Sequence, residues 1–455
     1  MFELTIGEIC DFCGGELLNV DRNIIIKKAE TDSRKDMTDG IFFALKGERF
    51  DAHDFVEQAM ANNAAVLCVQ NDRVSRNLPC WLVAEPLKAY QKLGSLMLQK
   101  ADIPVIAITG SVGKTSVKEM TRSVLEQKFG SGKVLFTEGN TNNHIGVPQN
   151  LMRLTAEHKA AVIEIGTNSF GEIAVLSEIV RPDAALVNSI APCHLENLGT
   201  LEGVAKEKSA IFDFAAELAV IPGNIPQTEQ LKKAAEARNL KIKSFGDSNA
   251  QEFYFSDFKG SIDGSSFVLH CSGESVVVKW NLQGEHQAQN ACGAAAAGKF
   301  FGMSLCEIAE GLKNTSLPGR RSKITESNGV HYYNDAYNAN PASMRALLNL
   351  VCECVKNGEF AFENVILVIG DMLELGENSL AEHRNILQFI ADEMSGVKVL
   401  AAGANFGHWA DDFDMEFFPD SVAAGKRLKT LQSVGNWVFL KGSLSMHMEN
   451  ALTAE

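Results

Sequence analysis

A chain of 455 residues is too long for one hydrophobic core, and at roughly 150 residues per domain it points to about three. Hydrophobic residues make up 45% and charged residues 22%, the mixture of an ordinary globular protein, which argues against a disordered chain or a coiled coil. A formal net charge of −15 argues against a broad basic face gripping nucleic acid, and no apolar run is long enough for stable membrane insertion.

Ten cysteines follow no regular framework and read as reduced thiols. Cys10 and Cys13 form C-x-x-C, but no second pair or nearby histidine completes a zinc site. The amino terminus lacks a basic start and apolar leader core, so the expected location is cytoplasmic.

In chain order, short apolar strands are predicted at 24–26, 41–45, 64–69 and 81–84, mixed with helical segments, as in a small α/β unit. Residues 104–109 form an apolar, β-rich run of the kind buried in parallel sheets. Val117, Met120, Val124 and Leu125 then recur at helical spacing until Gly130. The intervening residues Thr109, Gly110, Ser111, Val112, Gly113, Lys114, Thr115 and Ser116 therefore sit at a helix N-terminus. There, free N–H groups and the helix dipole favour phosphate, Lys114 can reach terminal phosphates and Thr115 can ligate Mg²⁺. The usual first glycine of such a loop is here Ile108, and a glycine turn alone also serves as a plain strand-to-helix connection.

Further apolar strands are predicted at 161–165, 184–188 and 218–221. Glu164 interrupts the first near its carboxyl end, the edge where open α/β sheets bind ligands. Its carboxylate is either a metal ligand or a solvated strand end. His194 follows the second strand, and Lys208, on spacing alone, reads as a solvated helical lysine. Asn140, Thr141, Asn142 and Asn143 belong to a polar loop running to Pro148, whose side chains could hold a phosphate end or their own backbone. Residues 252–282 alternate with glycine turns, as in an antiparallel extension, and an alanine-rich helix follows over 285–301. His286 and Asn290 share one face of it.

After Leu317-Pro-Gly-Arg320 the alternation of strand and helix restarts and implies another mostly parallel sheet. Arg320 lies where a hinge could swing a cation onto a nucleotide. The segment from Asp335 to Pro341, with Tyr337, Asn338 and Asn340, joins a strand to a helix opening on proline. The expected fold is α/β in three domains. These are a small α/β domain over 1–100, a central P-loop ATPase-like sheet with an antiparallel extension over 101–317, and a Rossmann-like α/β domain over 318–455.

Together these segments resemble the Mur ligase family over nearly the whole chain. The shortened loop Thr109–Ser116 is that family's own form. Thr31-Asp-Ser-Arg34 and the stretch Phe42–Phe55 resemble its segments that hold a UDP-sugar peptide, with Ser33, Arg34 and Lys46 as contacts and Ala52 replacing a glycine before His53. The resemblance implies that Thr115 and Glu164 hold one Mg²⁺, that Glu164, His194 and a carbamylated Lys208 serve a second, and that Lys114 assists catalysis. It also implies that Asn290, Arg320 and Asp335 contact ATP, and that the 140–148 loop lies near the γ-phosphate and acceptor. His286 belongs to the same helical motif as Asn290.

Asp335-Ala-Tyr-Asn-Ala-Asn-Pro-Ala-Ser-Met344 has the form of the dipeptide-adding branch, where other branches usually carry histidine-containing versions. Gly370-Asp-Met-Leu-Glu-Leu-Gly-Glu377 agrees, whereas Leu444 stands where arginine is common. The implied activity is ATP-dependent, ADP-forming addition of D-alanyl-D-alanine to UDP-N-acetylmuramoyl-tripeptide through an acyl phosphate, in cell-wall precursor synthesis. A monomer acting on these small molecules is expected. The competing readings are a related ligase with another amino acceptor and a non-catalytic nucleotide switch.

Overall fold

Val105–Thr109 is buried along its whole length and lies third from one edge of a sheet that is nine-stranded among the described residues. The computed structural model describes residues 1–47, 49–70, 77–318 and 323–453. From one edge to the other the strands are Glu274–Trp280, Gly264–Cys271, Phe253–Ser261, Lys241–Gly246, Leu218–Pro222, Ala184–Val187, Val105–Thr109, Ala160–Glu164 and Val134–Phe136. The pairings from Phe253–Ser261 onward are parallel, and the first two strands add antiparallel to that edge. The antiparallel extension expected over 252–282 is thus present.

Strand alternation sends Ile106, Ile108, Val162 and Leu186 to one face, where helices Lys114–Phe129 and Glu285–Phe300 pack. The many alanines of the second helix let it lie close against the first. Ala107, Ile163 and Val187 face the other side, against helix Pro86–Ala101. That helix also covers the first sheet, whose strands run Glu16–Leu18, Cys80–Val83, Val66–Gln70, Gly40–Phe43 and Lys28–Glu30, so the two units share one continuous core.

The third sheet is ordered Lys323–Ser327, Val330–Asn334, Trp437–Lys441, Val365–Gly370, Lys398–Ala402 and Glu416–Phe418, all parallel except the first pair. Its core takes in one residue from the central unit, Ile262 at the tip of the hairpin Phe253–Cys271. Around this plug, Asn357 donates to the Gly260 carbonyl, and the carboxylates of Glu353 and Glu359 accept the N–H groups of Gly260 and Ile262.

Strands Val134–Phe136, Lys241–Gly246 and Glu416–Phe418 lie outside the sequence expectations. Two are three residues long, and Lys-Ile-Lys-Ser-Phe-Gly carries polar residues on its exposed positions, so none offers a sustained apolar run. Among the described residues no helix is long and apolar enough to cross a membrane, and no cysteine is in a disulfide.

Candidate active site

The chain enters the central sheet at Val105–Thr109, passes through Lys114–Phe129 to the far edge, and returns on both sides of the first strand. The carboxyl ends of Val105–Thr109, Ala160–Glu164 and Ala184–Val187 therefore converge where the strand order reverses, the usual ligand crevice of such sheets. Gly113 opens the helix at φ +80°, and a Cβ there would lie 2.5 Å from Asn188 Nδ2, so only glycine fits. The first N–H groups of the helix have no intrahelical partner and face the crevice, as a phosphate site requires.

Not every loop group is available. The N–H groups of Ser111 and Val112 donate to the carbonyl and hydroxyl of Ser189, and Ser111 Oγ donates to the Ala191 carbonyl. These bonds staple the loop to the neighbouring strand exit, and both residues border the crevice. Lys114 Nζ folds back to the Gly110 carbonyl at 2.7 Å, and Thr109 ends the strand fully buried. Ser116 is buried in the first helical turn.

Glu164 is 1% exposed and so is not a solvated strand end. Thr115 Oγ1 donates to one carboxylate oxygen at 3.0 Å and Asn142 Nδ2 to the other at 2.8 Å. Both partners are neutral, and among the described residues no cation pairs with this carboxylate. A buried negative charge held only by neutral donors is costly, and the hydroxyl–carboxylate pair offers hard oxygen ligands of the kind Mg²⁺ takes alongside phosphate.

Asn140 borders the crevice. Thr141 Oγ1 donates to the Glu138 carbonyl, and Asn143 Oδ1 accepts the N–H groups of Ile145 and Gly146. Asn143 thereby starts helix Gly146–Leu151, so the loop ends before Pro148, two residues earlier than expected. Asn150, which carried no sequence signal, donates to the Thr141 carbonyl and hydroxyl and accepts from Glu138, fixing the loop that aims Asn142.

Lys208 is 1% exposed, contrary to its reading as a solvated lysine. Helix Leu201–Ser209 turns Val204, Ala205, Glu207 and Lys208 inward. Glu207 accepts the N–H groups of Gly171 and Ile173 and so anchors that helix beside the loop following Glu164. Burial, reinforced by the Lys114 ammonium, lowers the Lys208 pKa to about 7, which leaves much of the amine neutral and nucleophilic. His194 directs Nδ1 at Glu374 of the third unit at 2.9 Å. Among the described residues no three His, Cys, Asp or Glu side chains are grouped as a ready-made metal cage.

The opposite wall comes from the third sheet. Parallel register pairs Asn334 with Leu440, so the next residues, Asp335 and Lys441, leave adjacent strand ends together and form an ion pair of 2.5 Å. A cavity of about 430 Å³ lies between this wall and the glycine loop, bordered by Thr115, Glu164, His286, Asn290, Asp335 and Lys441. Asn290 receives a bond from Asn188, which itself donates to the Val112 carbonyl, linking the helix motif to the loop. Tyr337, Asn338 and Asn340 border the same cavity. Asn338 Oδ1 accepts the Ala339 N–H, and Asn340 caps helix Pro341–Lys356 through the Ser343 N–H.

Arg320 lies outside the described residues. Ser33, Arg34 and Lys46 do not border the cavity. Ser33 Oγ donates to Gln58, Arg34 pairs with Asp32, and the Lys46 backbone pairs with that of Asp51 in an isolated antiparallel β-bridge. Asn188 and Ser189, which order the loop, escaped sequence reasoning, since an Asn-Ser pair after a strand has no distinguishing spacing.

Comparison with known proteins adds an independent line. A family model described as the Mur ligase middle domain matches residues 108–298, and one described as the Mur ligase glutamate ligase domain matches 319–444. The UDP-N-acetylmuramoyl-tripeptide–D-alanyl-D-alanine ligase of Escherichia coli strain K12 is 37% identical, over 100% of this chain and 98% of that protein. A crystal structure of MurF from Acinetobacter baumannii superposes with a TM-score of 0.91 at 31% identity, covering 100% of this chain and 98% of that one. The MurF ligase of Thermotoga maritima, solved in complex with ADP, shares the fold with a TM-score of 0.81 at 23% identity, over 94% of this chain and 96% of that one.

Proposed function

The chain belongs to the Mur ligase family, and from that membership we propose that it joins D-alanyl-D-alanine to a UDP-N-acetylmuramoyl-tripeptide at the expense of ATP, in peptidoglycan precursor synthesis. The observation that carries the site assignment is the buried Glu164 carboxylate, held by Thr115 and Asn142 beside a helix N-terminus. A carboxylate is a poor electrophile because its oxygen leaves badly. The tripeptide carboxylate therefore attacks the γ-phosphorus of ATP, breaking the bond to the β–γ bridging oxygen and giving an acyl phosphate and ADP. The neutral amine of the dipeptide then attacks the acyl carbon, and the tetrahedral intermediate collapses to the amide, releasing phosphate and a proton.

Positioning and charge stabilisation supply the catalysis. Helix N–H groups from Gly113 onward cradle phosphate, and Lys114 leaves the Gly110 carbonyl to meet the terminal phosphates. Thr115 and Glu164 suit one Mg²⁺, with Glu164, His194 and Lys208 serving a second. Bound there, the ions offset the charge of the transferring phosphoryl group. The neutral Lys208 amine adds to carbon dioxide, losing a proton, to give a carbamate that supplies the missing carboxylate ligand. Asn290 and Asp335 contact the nucleotide, with Arg320 joining them on closure. His286, Tyr337, Asn338, Asn340 and the 140–143 loop face the reacting ends.

The domain roles belong to the same proposal. Residues 1–100 hold the UDP-sugar peptide through Ser33, Arg34 and Lys46. Residues 101–317 bind ATP, and 318–455 close over it and take the acceptor. The test is turnover with a panel of acceptors, scored by product mass. Amide formation with D-alanyl-D-alanine but not with lysine, diaminopimelate or glutamate supports the assignment.

A further inference from the structure

His194 and Glu374 both sit in the left-handed region, at φ +50° and +65°, although neither is glycine or asparagine. Such backbone is disfavoured for a residue with a β-carbon and persists where the surroundings over-determine it. Here they do. Asp371 accepts the N–H groups of Asn405 and Phe406, the Met372 N–H donates to His383 and the Leu373 N–H to Ser443. Each of the three residues before Glu374 is thus tied down, and Glu374 is presented outward to His194.

The other side is equally fixed. Cys193 Sγ donates to Ser111 Oγ, whose hydroxyl donates to the Ala191 carbonyl and accepts the Ala191 N–H. The His194 carbonyl then accepts the N–H groups of Asn197 and Leu198. A chain of contacts therefore runs from the glycine loop through Cys193 and His194 to a carboxylate in the loop that follows strand Val365–Gly370 of the third unit.

We propose that Glu374 is a positioning residue that acts through His194 and makes the second cation site complete only when the third unit is docked. A carboxylate accepts, so Nδ1 must carry the proton; in the neutral ring this leaves Nε2 with its lone pair free to ligate. Carboxylate partners of this kind fix the tautomer and orientation of metal-binding imidazoles. The partner here comes from another domain, so withdrawing that domain removes the restraint. The proposal rests on the reading that His194 serves a cation.

The experiment is a double-mutant cycle of Glu374→Ala and His194→Ala, with Glu374→Gln as the conservative variant. It reads kcat and KM separately, together with Mn²⁺ affinity by electron paramagnetic resonance in the presence of ADP. Glu374 is two-thirds exposed, so its replacement leaves folding intact, which a thermal melt checks. Glu374→Ala is expected to weaken Mn²⁺ affinity and lower kcat by about 10- to 100-fold with little change in the KM for ATP. It should add nothing in the His194→Ala background, and Glu374→Gln, which still accepts from Nδ1, should recover part of the loss. Unchanged Mn²⁺ affinity and kcat in Glu374→Ala, with both reduced in His194→Ala, would overturn the proposal alone. Full Mn²⁺ affinity and kcat in His194→Ala would instead overturn the cation-site reading beneath it.

Discussion

Glu353, on the long helix of the third unit, accepts the N–H of Gly260 at the tip of the central hairpin at 3.0 Å. This bond lies beside the Ile262 plug, so the hairpin is a second tether between the units besides the chain connection itself. A Cβ at Gly260 would stand 2.5 Å from Glu353 Oε2. Gly260→Ala should displace the carboxylate and leave the N–H poorly paired, costing about 1–3 kcal/mol at this joint. Thermal melts should show the third unit loosening first, and scattering should show a larger radius of gyration. An unchanged melt and radius would contradict the tether.

Glu164→Gln keeps the shape and one acceptor oxygen, for Asn142, while the Thr115 hydroxyl can turn to accept from the new amide NH₂, and it removes the charge. Turnover should fall by about 10²–10³-fold, the scale of losing a major electrostatic stabiliser. In chelator the variant should melt no lower than the parent, because the parent then buries a carboxylate without a cation. Adding Mg²⁺ with ADP should raise the melting temperature of the parent and not of the variant. Equal stabilisation of both would remove Glu164 from the cation site.

Lys208 gives a pH signature in metal-free, carbonate-depleted buffer. Its folded pKa of about 7 is below the unfolded value of about 10.4. Between these values the unfolded chain holds the extra proton, so stability rises with pH; below about 7 the buried charge exerts its full destabilising effect. Lys208→Met should therefore be more stable than the parent near pH 6, by about 1–4 kcal/mol, with the gap closing toward pH 10. Lys208→Ala should be inactive, and short-chain carboxylates that enter the vacated space should partly restore turnover. A pH-independent stability difference would contradict the buried-amine account.

Asp335 neutralises Lys441, whose side chain is 3% exposed. Asp335→Ala strands that ammonium and should destabilise the third unit by about 3 kcal/mol, while Asp335→Ala with Lys441→Met should recover most of the loss. Denaturant melts measure both, and the nucleotide contact proposed for Asp335 requires the KM for ATP to stay high in the double variant. A parental KM there would confine Asp335 to structure.

The elements legible in the sequence are those with a sustained local pattern. Val105–Thr109, the glycine loop and helix Lys114–Phe129 form a strand–turn–helix whose signals are adjacent. Glu164 was readable because a carboxylate within an apolar strand is locally anomalous. Lys208 was not, since its burial follows from helix packing rather than from its neighbours in sequence. The Asp335–Lys441 and His194–Glu374 pairs escaped prediction because they depend on strand register and on domain docking. Ser111 and Val112 fit the motif, yet their amides face Ser189, a partner set by the adjacent strand.

The central claim is tested most directly by mass analysis of the product formed from ATP, Mg²⁺, a UDP-N-acetylmuramoyl-tripeptide and competing acceptors. The account predicts one amide product, bearing D-alanyl-D-alanine and formed with stoichiometric ADP. A product carrying a single amino acid instead, or ADP release with no amide formed, would contradict it.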